Sequence, residues 1–452
     1  MAARATGLIG PLFLFACLTL GGSAQGIWTN LALQLGAIAI IAASLIAGRR
    51  SDGRAEVRLR WLVAATLVVA VLQLVPLPPE IWTRLPGRGP VAEGFTLVGA
   101  DLPWLPVSLA PEVTVSALLA CLPAVAMLAW VLRWSDGRSD GFIVAVLAAT
   151  VVSVVVGLIQ YTSSEPWYPY RHSSFGAATG LFANSNHMAS LLLCAIPLLA
   201  AVAVAQWRKT GKSAPGQRLA VMIALATCAG AIVVGIIVNG SLAVILLGGP
   251  MLVASLLIFL PSVGVRAGRL AILILAAIAA GIAALLAIGI ERLISIGGAA
   301  SASERLEILR SSVRMATDYA PVGSGLGTFA AAYHLQEDPE TVTWPYANHV
   351  HNDYVELVIE LGLAGGVVLI AFLAWWAWRF TGLWRSSATP PAVRAATLVT
   401  LGLLLHSLVD FPLRTAALSA LFATAIGFMA APGVRRPPAG IGQPRHLTLD
   451  DL

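Results

Sequence analysis

Charged side chains are scarce in this sequence of 452 residues, since Asp, Glu, Lys and Arg make up 11% and hydrophobic residues 58%. Such a chain cannot be a set of soluble domains, and its repeated apolar runs of about 20 residues are typical of membrane-spanning helices. Transmembrane β-strands would show short stretches of alternating polarity instead. The composition therefore predicts an all-α, polytopic integral membrane protein.

Cysteine is rare as well, and the four present all lie inside apolar runs: Cys17, Cys121, Cys194 and Cys228. No two of them share a loop, so we expect neither a disulfide nor a cysteine-based metal site. The sequence also lacks a P-loop, a GxSxG motif, an HExxH motif and any zinc-ligand spacing. We therefore expect no metal and no cofactor. The two halves show no convincing repeat, which weakens the case for a typical transporter.

The apolar runs predict about twelve transmembrane helices and a large extracytoplasmic loop between the ninth and the tenth. The spans are 7–25, 28–47, 61–77, 113–132, 141–161, 183–205, 219–238, 241–260, 270–290, 353–378, 395–411 and 414–431. A basic start and small residues after the first run leave a cleaved signal peptide as an alternative for it. We expect one transmembrane domain over residues 1–431, including the loop 291–352, and a cytoplasmic tail over 432–452.

Basic residues set the orientation. With the N-terminus in the cytoplasm, most of the 28 basic residues face inward, as the positive-inside rule requires. The net charge of +6 is then a topology signal and no argument for nucleic-acid binding. Histidines, apart from His446, lie on or near the outer face. The arginines placed outside run against the rule and become candidates for function: Arg84, Arg88, Arg171, Arg292, Arg305, Arg310, Arg314 and Arg414.

Ionisable residues crowd one stretch, 344–366, at the start of the tenth span. It contains His349, His351, Asp353, Glu356 and Glu360. A helix that begins with Asn352 as its N-cap would leave His351 just outside, beside the positive end of the helix dipole. An anion and a proton acceptor can meet at such a place. Alternatively, the histidines are loop residues and the carboxylates only solvate a helix end, but Glu360 lies about two turns into an apolar run.

The large outer loop contains a predicted helix. Ser301 and Glu304 form a capping box, and the helix can run through Asp318 and stop before Pro321. A helical wheel places Arg305 among Leu306, Leu309, Val313 and Ala316, so its guanidinium needs a buried anionic partner. Arg310 and Arg314 lie opposite, where they fit a solvated face balanced by Glu307 or a site for an anion. The glycines of 323–327 predict a flexible turn, because no strand precedes them as in a nucleotide-binding loop.

Two further outer segments combine cations with other polar groups. Residues 171–187 supply Arg171, Asn184, Asn186 and His187 on a Gly-rich approach to the sixth span. Residues 406–414 form a hairpin between the last two spans, where Asp410 and Arg414 could pair and fix the turn. Three arginine-bearing patches on one face suit a di-anionic lipid-linked ligand, since a guanidinium grips phosphate oxygens with two parallel hydrogen bonds.

These segments together resemble the O-antigen ligase and polymerase superfamily of polytopic bacterial membrane glycosyltransferases. The resemblance is carried by Gly180-Leu-Phe182-Ala-Asn184-Ser-Asn186, by Arg305, by Pro321-Val-Gly-Ser-Gly-Leu-Gly-Thr-Phe329, and by His351-Asn352 leading to Glu360-Leu-Gly362. The order and spacing of these short motifs, with the twelve spans and the long loop, extend the likeness over most of the chain. One departure is Leu242, which stands where many relatives carry an arginine.

The resemblance implies a metal-independent transfer of a saccharide from undecaprenyl pyrophosphate to an acceptor hydroxyl, at the periplasmic face of the bacterial inner membrane. His351 would be the base, and Arg305, with Arg171, would hold the pyrophosphate. The acceptor would be a lipid A core sugar in lipopolysaccharide synthesis, or another lipid-linked repeat for a polysaccharide polymerase. Further substrate contacts are expected from Arg310, Arg314, Asn184, Asn186, His187, Asn352, Asp353 and Arg414.

The sequence leaves alternatives open. A ligase and a polymerase differ only in the acceptor, so the residues do not separate them. A transporter or flippase of the same lipid-linked glycans would carry charged groups along a path through both leaflets, whereas the ionisable residues here gather on one side. Besides its glycan substrates, the protein is expected to contact membrane lipids and no nucleic acid.

Overall fold

The computed structural model describes residues 2–24, 27–47, 53–134, 139–208, 215–263, 298–336 and 348–431, and almost all of its secondary structure is helical. Two short strands, β1 (Pro76–Leu77) and β2 (Leu105–Pro106), pair antiparallel. A 3₁₀ turn covers Pro412–Arg414. The all-α prediction is confirmed. The helices are α1 (Ala2–Leu20), α2 (Trp28–Ile46), α3 (Arg54–Leu72), α4 (Pro79–Trp82), α5 (Gly89–Leu97), α6 (Pro111–Ala120), α7 (Leu122–Trp134), α8 (Asp140–Thr162), α9 (Ser185–Arg208), α10 (Pro215–Asn239), α11 (Leu242–Val263), α12 (Gly298–Asp318), α13 (Phe329–His334), α14 (Asp353–Arg385), α15 (Pro391–His406) and α16 (Ala416–Ala430).

Six of the described helices are long and apolar enough to cross a membrane. They are α2, the joined α6 and α7, α8, α9, α10 and α14. Four shorter apolar helices lie within α1, α11, α15 and α16. The described part of the chain is therefore a polytopic membrane protein. The third predicted span, 61–77, overlaps α3, and the ninth, 270–290, lies outside the described residues, so the total of twelve remains a prediction.

Helix α9 lies at the centre of the bundle. Three consecutive residues, Leu191, Leu192 and Leu193, are each 0–1% exposed, and a helix that is apolar all round must be surrounded by other helices. It packs closely against α11 and α15, and also against α8 and α10. Because α9 is enclosed in this way, its first residues are held at the junction of several helix ends.

Helix α3 packs against α14 and runs antiparallel to it. At one end, Nε1 of Trp375 donates a 3.0 Å hydrogen bond to the carbonyl of Ala55, and the guanidinium of Arg58 lies 5.0 Å from the ring of Trp378. At the other end, Nε2 of Gln73 donates a 2.7 Å hydrogen bond to the carbonyl of Glu360. Gln73, the residue after α3, thereby contacts the buried first part of α14.

Helix α14 is broken at Gly362, whose φ of 64° and ψ of −155° are not helical. The break frees backbone groups that the membrane cannot hydrate, so other parts of the protein must pair with them. The amides of Ser324 and Gly325 donate to the carbonyls of Ile359 and Glu360, and the amide of Leu363 donates to Pro321. The sequence predicts an unbroken span over 353–378, because hydropathy is insensitive to a single glycine with an unusual conformation.

Helices α12 and α13 share a small core with the approach to α14. It contains Met315, Tyr319, Phe329, Val350 and Ile359. Helix α12 ends at Asp318 as predicted, but it begins at Gly298 and not at the capping box of Ser301.

The packed face of α12 differs from the helical-wheel prediction. Ser312, Met315 and Tyr319 are buried, whereas Val313 is 52% exposed. Leu309 and Ala316 of the predicted face pack against this core, but the most buried positions lie to one side of it, at Met315 and Tyr319.

Candidate functional site

Asn352 is the N-cap of α14, as predicted. Its Oδ1 accepts hydrogen bonds from the amides of Tyr354 and Val355, which would otherwise be unpaired at the helix start. Its Nδ2 donates to the carbonyl of Leu408 over 2.9 Å, and the amide of Asp353 donates to Ser407 over 3.0 Å. The start of α14 is thus fixed onto the turn that follows α15.

His351 lies just outside this helix and is the one non-glycine residue in the described ranges with a positive φ, 56°. Its Nδ1 lies 3.2 Å from Oδ1 of Asp410, and its side chain is 22% exposed while that of Asp410 is fully buried. Left-handed backbone at a histidine is uncommon and has to be held by its surroundings. The backbone strain at His351 is therefore coupled to its pairing with a carboxylate 59 residues further along the chain.

Asp410 is held in its ionised form. Its Oδ1 also accepts a 2.9 Å hydrogen bond from the amide of Phe411. Burial raises the pKa of the carboxyl, but the hydrogen bond with His351 and the charges of His187, His351 and His406 lower it, and the net pKa is well below the ordinary value of 3.8. An ionised carboxylate orients and stabilises the imidazole that it faces.

Arg414 pairs with three carboxylates of α14. Its guanidinium lies 2.8 Å from Glu360, 3.4 Å from Glu356 and 3.5 Å from Asp353. The sequence-based suggestion that Arg414 pairs with Asp410 is therefore wrong, since these neighbours in sequence point to different clusters. Burial lowers the pKa of Arg414, but the three carboxylates raise it, and the net pKa lies above the ordinary value.

His349 joins this carboxylate cluster. Its Nδ1 lies 2.7 Å from Oε1 of Glu356, and Oε2 of the same carboxylate accepts a 3.0 Å hydrogen bond from the amide of Val350. His349 and His351, two residues apart, therefore belong to two different acidic partners. The carboxylates are buried and paired, so they do not merely solvate a helix end.

Phe411 lies between three imidazoles. The His349 ring stacks on it with 4.0 Å between centroids, and the rings of His351 and His187 meet it edge-on at 5.1 Å. Close by, Nδ1 of His406 is 2.6 Å from Oγ of Ser190. The helix ends of α9, α14 and α15 thus gather four histidines around one aromatic side chain and one carboxylate.

The predicted substrate-binding asparagines are engaged with the protein itself. Oδ1 of Asn184 accepts a 2.8 Å hydrogen bond from the amide of Asn186, and Oδ1 of Asn186 accepts 2.7 Å from Oγ of Ser241. Ser241 immediately precedes Leu242, the first residue of α11. Asn184 therefore fixes the start of α9, and Asn186 connects it to the residue before α11.

The predicted pyrophosphate-binding arginines differ in their surroundings. Arg171 is exposed on the loop before α9, and Arg310 and Arg314 are exposed on α12. Nη2 of Arg314 donates a 3.2 Å hydrogen bond to Ser311. Arg305 lies on the backbone of α12, but its side chain lies outside the described residues, so its predicted role stays a prediction.

Two buried residues brace the break in α14: Gln73, which the sequence does not single out, and Arg88, which it singles out only as an exception to the positive-inside rule. Gln73 donates to the carbonyls of Val322 and Glu360 and accepts a 3.1 Å hydrogen bond from the amide of Leu326. The turn at 323–327 is therefore fixed, although the sequence predicts a flexible one. The sequence marks Gln73 only as a polar residue at the end of an apolar run. This position carries no information about the distant residues to which Gln73 bonds.

Arg88 is the second bracing residue. It is 2% exposed, donates 3.1 Å to the carbonyl of Gly323 and to Val107, and lies 5.6 Å from the ring of Tyr319. Burial lowers the pKa of Arg88 to about 10, opposed by the charge of Tyr319. Arg88 thus connects the segment after α3 to the turn at 323–327.

A cavity of about 230 Å³ begins beside Asp353 and Ser407 and follows α14 past Leu361 to Phe372. Almost all of the rest of its lining is apolar, from α3, α14, α15 and α16. One end therefore touches the ionisable cluster, and the remainder lies along a membrane-spanning helix.

The fold and site define a polytopic membrane protein with a buried ionisable centre at the start of a broken helix. Residues 227–370, about a third of the chain, match the family model described as O-antigen ligase (Wzy_C). Over these residues the chain is similar to the O-antigen ligase family. The matched range contains His351 and the break at Gly362, whereas Asp410 and Arg414 lie beyond it.

The family supports glycan transfer or polymerisation as the general reaction, with a lipid-linked glycan donor and a glycan acceptor. Membrane-spanning helices and the family together indicate a multi-pass protein of the bacterial inner membrane. No curated protein matches the chain.

Proposed function

We propose that the protein transfers a saccharide or polysaccharide from undecaprenyl pyrophosphate to an acceptor hydroxyl, with His351 as the base. The observation that carries this proposal is the pairing of a strained, partly exposed His351 with the buried carboxylate of Asp410. Ionisable groups with a strongly shifted pKa, as at Asp410, are found at functional sites more often than elsewhere. The family supports glycan transfer in general, and the pair supplies a candidate for its base.

The geometry suggests which nitrogen takes the proton. If Nδ1–H donates to Oδ1 of Asp410, Nε2 carries the lone pair and can accept the proton of the acceptor hydroxyl. The hydroxyl oxygen then bonds to the anomeric carbon of the donor sugar. The bond from this carbon to the pyrophosphate oxygen breaks, and undecaprenyl pyrophosphate leaves with the electron pair. Asp410 stabilises the imidazolium formed at His351.

The cations for the pyrophosphate are proposed among the arginines that the carboxylates do not occupy. Arg171, Arg310 and Arg314 are exposed, and Arg305 shares α12 with the last two. Arg414 is a poorer candidate, because its guanidinium pairs with three carboxylates. We infer that Arg414 stabilises the site by pairing with the carboxylates of α14, while arginines of the outer segments bind the phosphates.

The apolar cavity along α14 suits part of the isoprenoid chain of the donor. Its polar end, at Asp353 and Ser407, lies where the pyrophosphate would emerge towards His351, and its apolar length follows the membrane helix. A lipid chain that enters from the membrane would bury its surface there without dehydrating polar groups.

We further propose the twelve-span topology with the site in the periplasm. Its support is an asymmetry between the two ends of the bundle. The ionisable site lies where α9, α14 and α16 begin and α15 ends, whereas Arg58, Arg133, Arg379 and Arg394 lie against indole rings at the opposite helix ends. Reporter fusions near residues 210 and 335 should report the cytoplasm and the periplasm respectively, and the same compartment at both would contradict the topology.

Complementation of a deletion strain tests the function. We expect wild type to restore the glycan, and His351→Ala, Asp410→Asn and Arg305→Ala to reduce it by at least about 100-fold, 10-fold and 10-fold at matched abundance. The controls are His334→Ala and Arg84→Ala, which alter exposed outer residues and should restore it fully.

The lipids that accumulate in this strain distinguish the reactions. Long lipid-linked chains beside unmodified core indicate a ligase, and single lipid-linked repeats indicate a polymerase. Full restoration by His351→Ala would refute the assignment of the base. Lipid-linked glycan trapped on the cytoplasmic leaflet would instead support a flippase.

A further inference from the structure

His187 lies at the centre of the histidine cluster but has no role in the reaction described above. The side chain is 2% exposed, and neither ring nitrogen has a hydrogen-bond partner among the described residues. A neutral imidazole always carries one N–H donor and one acceptor nitrogen. Leaving both unpaired in the interior is costly, and such groups in native proteins call for an explanation. Burial behind Phe411 also makes His187 a poor candidate for direct contact with substrate.

Asp410 has an acceptor oxygen without a donor. Its Oδ1 is within hydrogen-bond distance of His351 and of the amide of Phe411, whereas its buried Oδ2 has no partner in the described part of the chain. Each donor that reaches a buried carboxylate favours its charged form and helps to fix its orientation. An unpaired acceptor on Asp410 and an unpaired donor on His187 thus occur in one cluster.

Phe411 connects these two groups. It is the residue after Asp410, and its ring meets the ring of His187 edge-on with 5.1 Å between centroids and an angle of 90°. The same ring contacts His351. His187 and His351 therefore contact one aromatic ring, beside the carboxylate that orients His351.

We propose that His187 is a positioning residue that donates a hydrogen bond through one water molecule to Oδ2 of Asp410 while His351 accepts the proton. The inference rests on the proposed function, in which His351 is the base. The donor keeps the Asp410 carboxylate aimed at His351, and it limits how strongly the carboxylate stabilises the protonated imidazole. His349, His351 and His406 are the other ionisable groups around this ring and carboxylate, while Arg414 is held by the carboxylates of α14.

The pH dependence of transfer tests this role. Without the donor, Asp410 would stabilise protonated His351 more strongly, so the base would become neutral only at a higher pH. We expect His187→Leu to move the midpoint of the acid limb of the initial transfer rate upward by about half to one pH unit. At least one of His187→Gln and His187→Asn, whose amides replace the ring N–H groups, should keep the wild-type midpoint.

The measurement uses washed membranes of the deletion strain that contain the full-length protein and their own lipid-linked glycan, between pH 5.5 and 9. Met188→Leu is the matched control, because Met188 is the next residue of α9, is buried and carries no hydrogen-bond donor. Thermal midpoints measured on the same variants separate a loss of folding from a change in the pH profile.

The outcomes test the role of His187 separately from the role of His351 as the base. An unmoved midpoint in His187→Leu, or an equal shift in His187→Leu and both amide variants, would overturn the role of His187. A fully active His351→Ala in the same membranes would overturn the proposed base. If His351→Ala is inactive and the midpoint of His187→Leu is unmoved, the base stands and His187 is only a packing residue.

Discussion

Arg414 connects the start of α14 to the turn that follows α15. One guanidinium faces Asp353, Glu356 and Glu360, all on α14, and its own position is set by the turn after α15. A buried charge is tolerated only with partners, and removing one partner of such a set costs about 3–5 kcal/mol. The cluster therefore fixes the start of α14 against the turn, and so fixes the distance between His351 and Asp410.

A residue-scale prediction concerns the Asp410 carboxylate. Its pKa is lower in the folded protein than the ordinary value of 3.8, so its stabilising effect is present above that pH and is lost as the pH falls through the folded pKa. We expect Asp410→Asn to lower the free energy of unfolding by about 1.5–3 kcal/mol at pH 7. The deficit should shrink below about pH 4.

Denaturation in detergent between pH 7 and pH 3 measures this difference. Asp101→Asn, at an exposed outer carboxylate, is the control and should change stability little at either pH. An equal deficit for Asp410→Asn at both ends of the range would show that the ionised carboxylate is not the source of the stability.

At the residue scale, the sequence predicts local relations and misses distant ones. The N-cap role of Asn352 and the position of His351 outside the helix follow from neighbouring residues, and both are confirmed. The partner of His351 lies 59 positions away, and pairing Asp410 with Arg414 by proximity in sequence gives the wrong answer. Only the packing of α15 against α9, and of the turn against α14, brings the true partners together.

The break in α14 is the element on which the site depends. Its short first segment carries Asp353, Glu356 and Glu360, and the turn at 321–327 with Gln73 pairs its freed backbone groups. Irregular backbone within a membrane protein is stable only where protein groups replace the missing hydrogen bonds. The outer loop is thus part of the site's framework, and Arg88 ties the segment after α3 to the same turn.

Substitution at the break tests its importance. A Cβ at Gly362 would lie 2.2 Å from the carbonyl oxygen of Pro321, and its φ of 64° is unfavourable for any other residue. We expect Gly362→Ala to destabilise the protein by about 3 kcal/mol or more and to reduce its abundance in the membrane. Gly366→Ala is the matched control, since its nearest contact would be an ordinary 3.7 Å.

Thermal unfolding and immunodetection of both variants give the answer. Equal stability of Gly362→Ala and Gly366→Ala would contradict the structure of the break.

Hydropathy predicts where α14 lies, because its apolar residues are continuous. It cannot predict the break, because the hydrogen bond from the amide of Leu363 to the carbonyl of Pro321 joins residues far apart in the sequence.

The whole molecule is asymmetric along the membrane normal. Its ionisable site lies at one end of the bundle, and its indole-bound arginines lie at the other. The uneven distribution of arginines is visible in the sequence, which is why orientation can be proposed from it. How the helices pack is not visible there, because lipid-facing and buried helices are equally apolar, as the enclosed α9 illustrates.

The central claim is that this protein moves a glycan off a lipid pyrophosphate with His351 as the base. Its most direct test measures, in washed membranes, the undecaprenyl pyrophosphate released and the glycosidic bonds formed. We predict one lipid pyrophosphate for each bond with wild type, and neither product above background with His351→Ala at equal abundance. Equal rates for the two proteins, or release of lipid monophosphate in step with bond formation, would contradict the account.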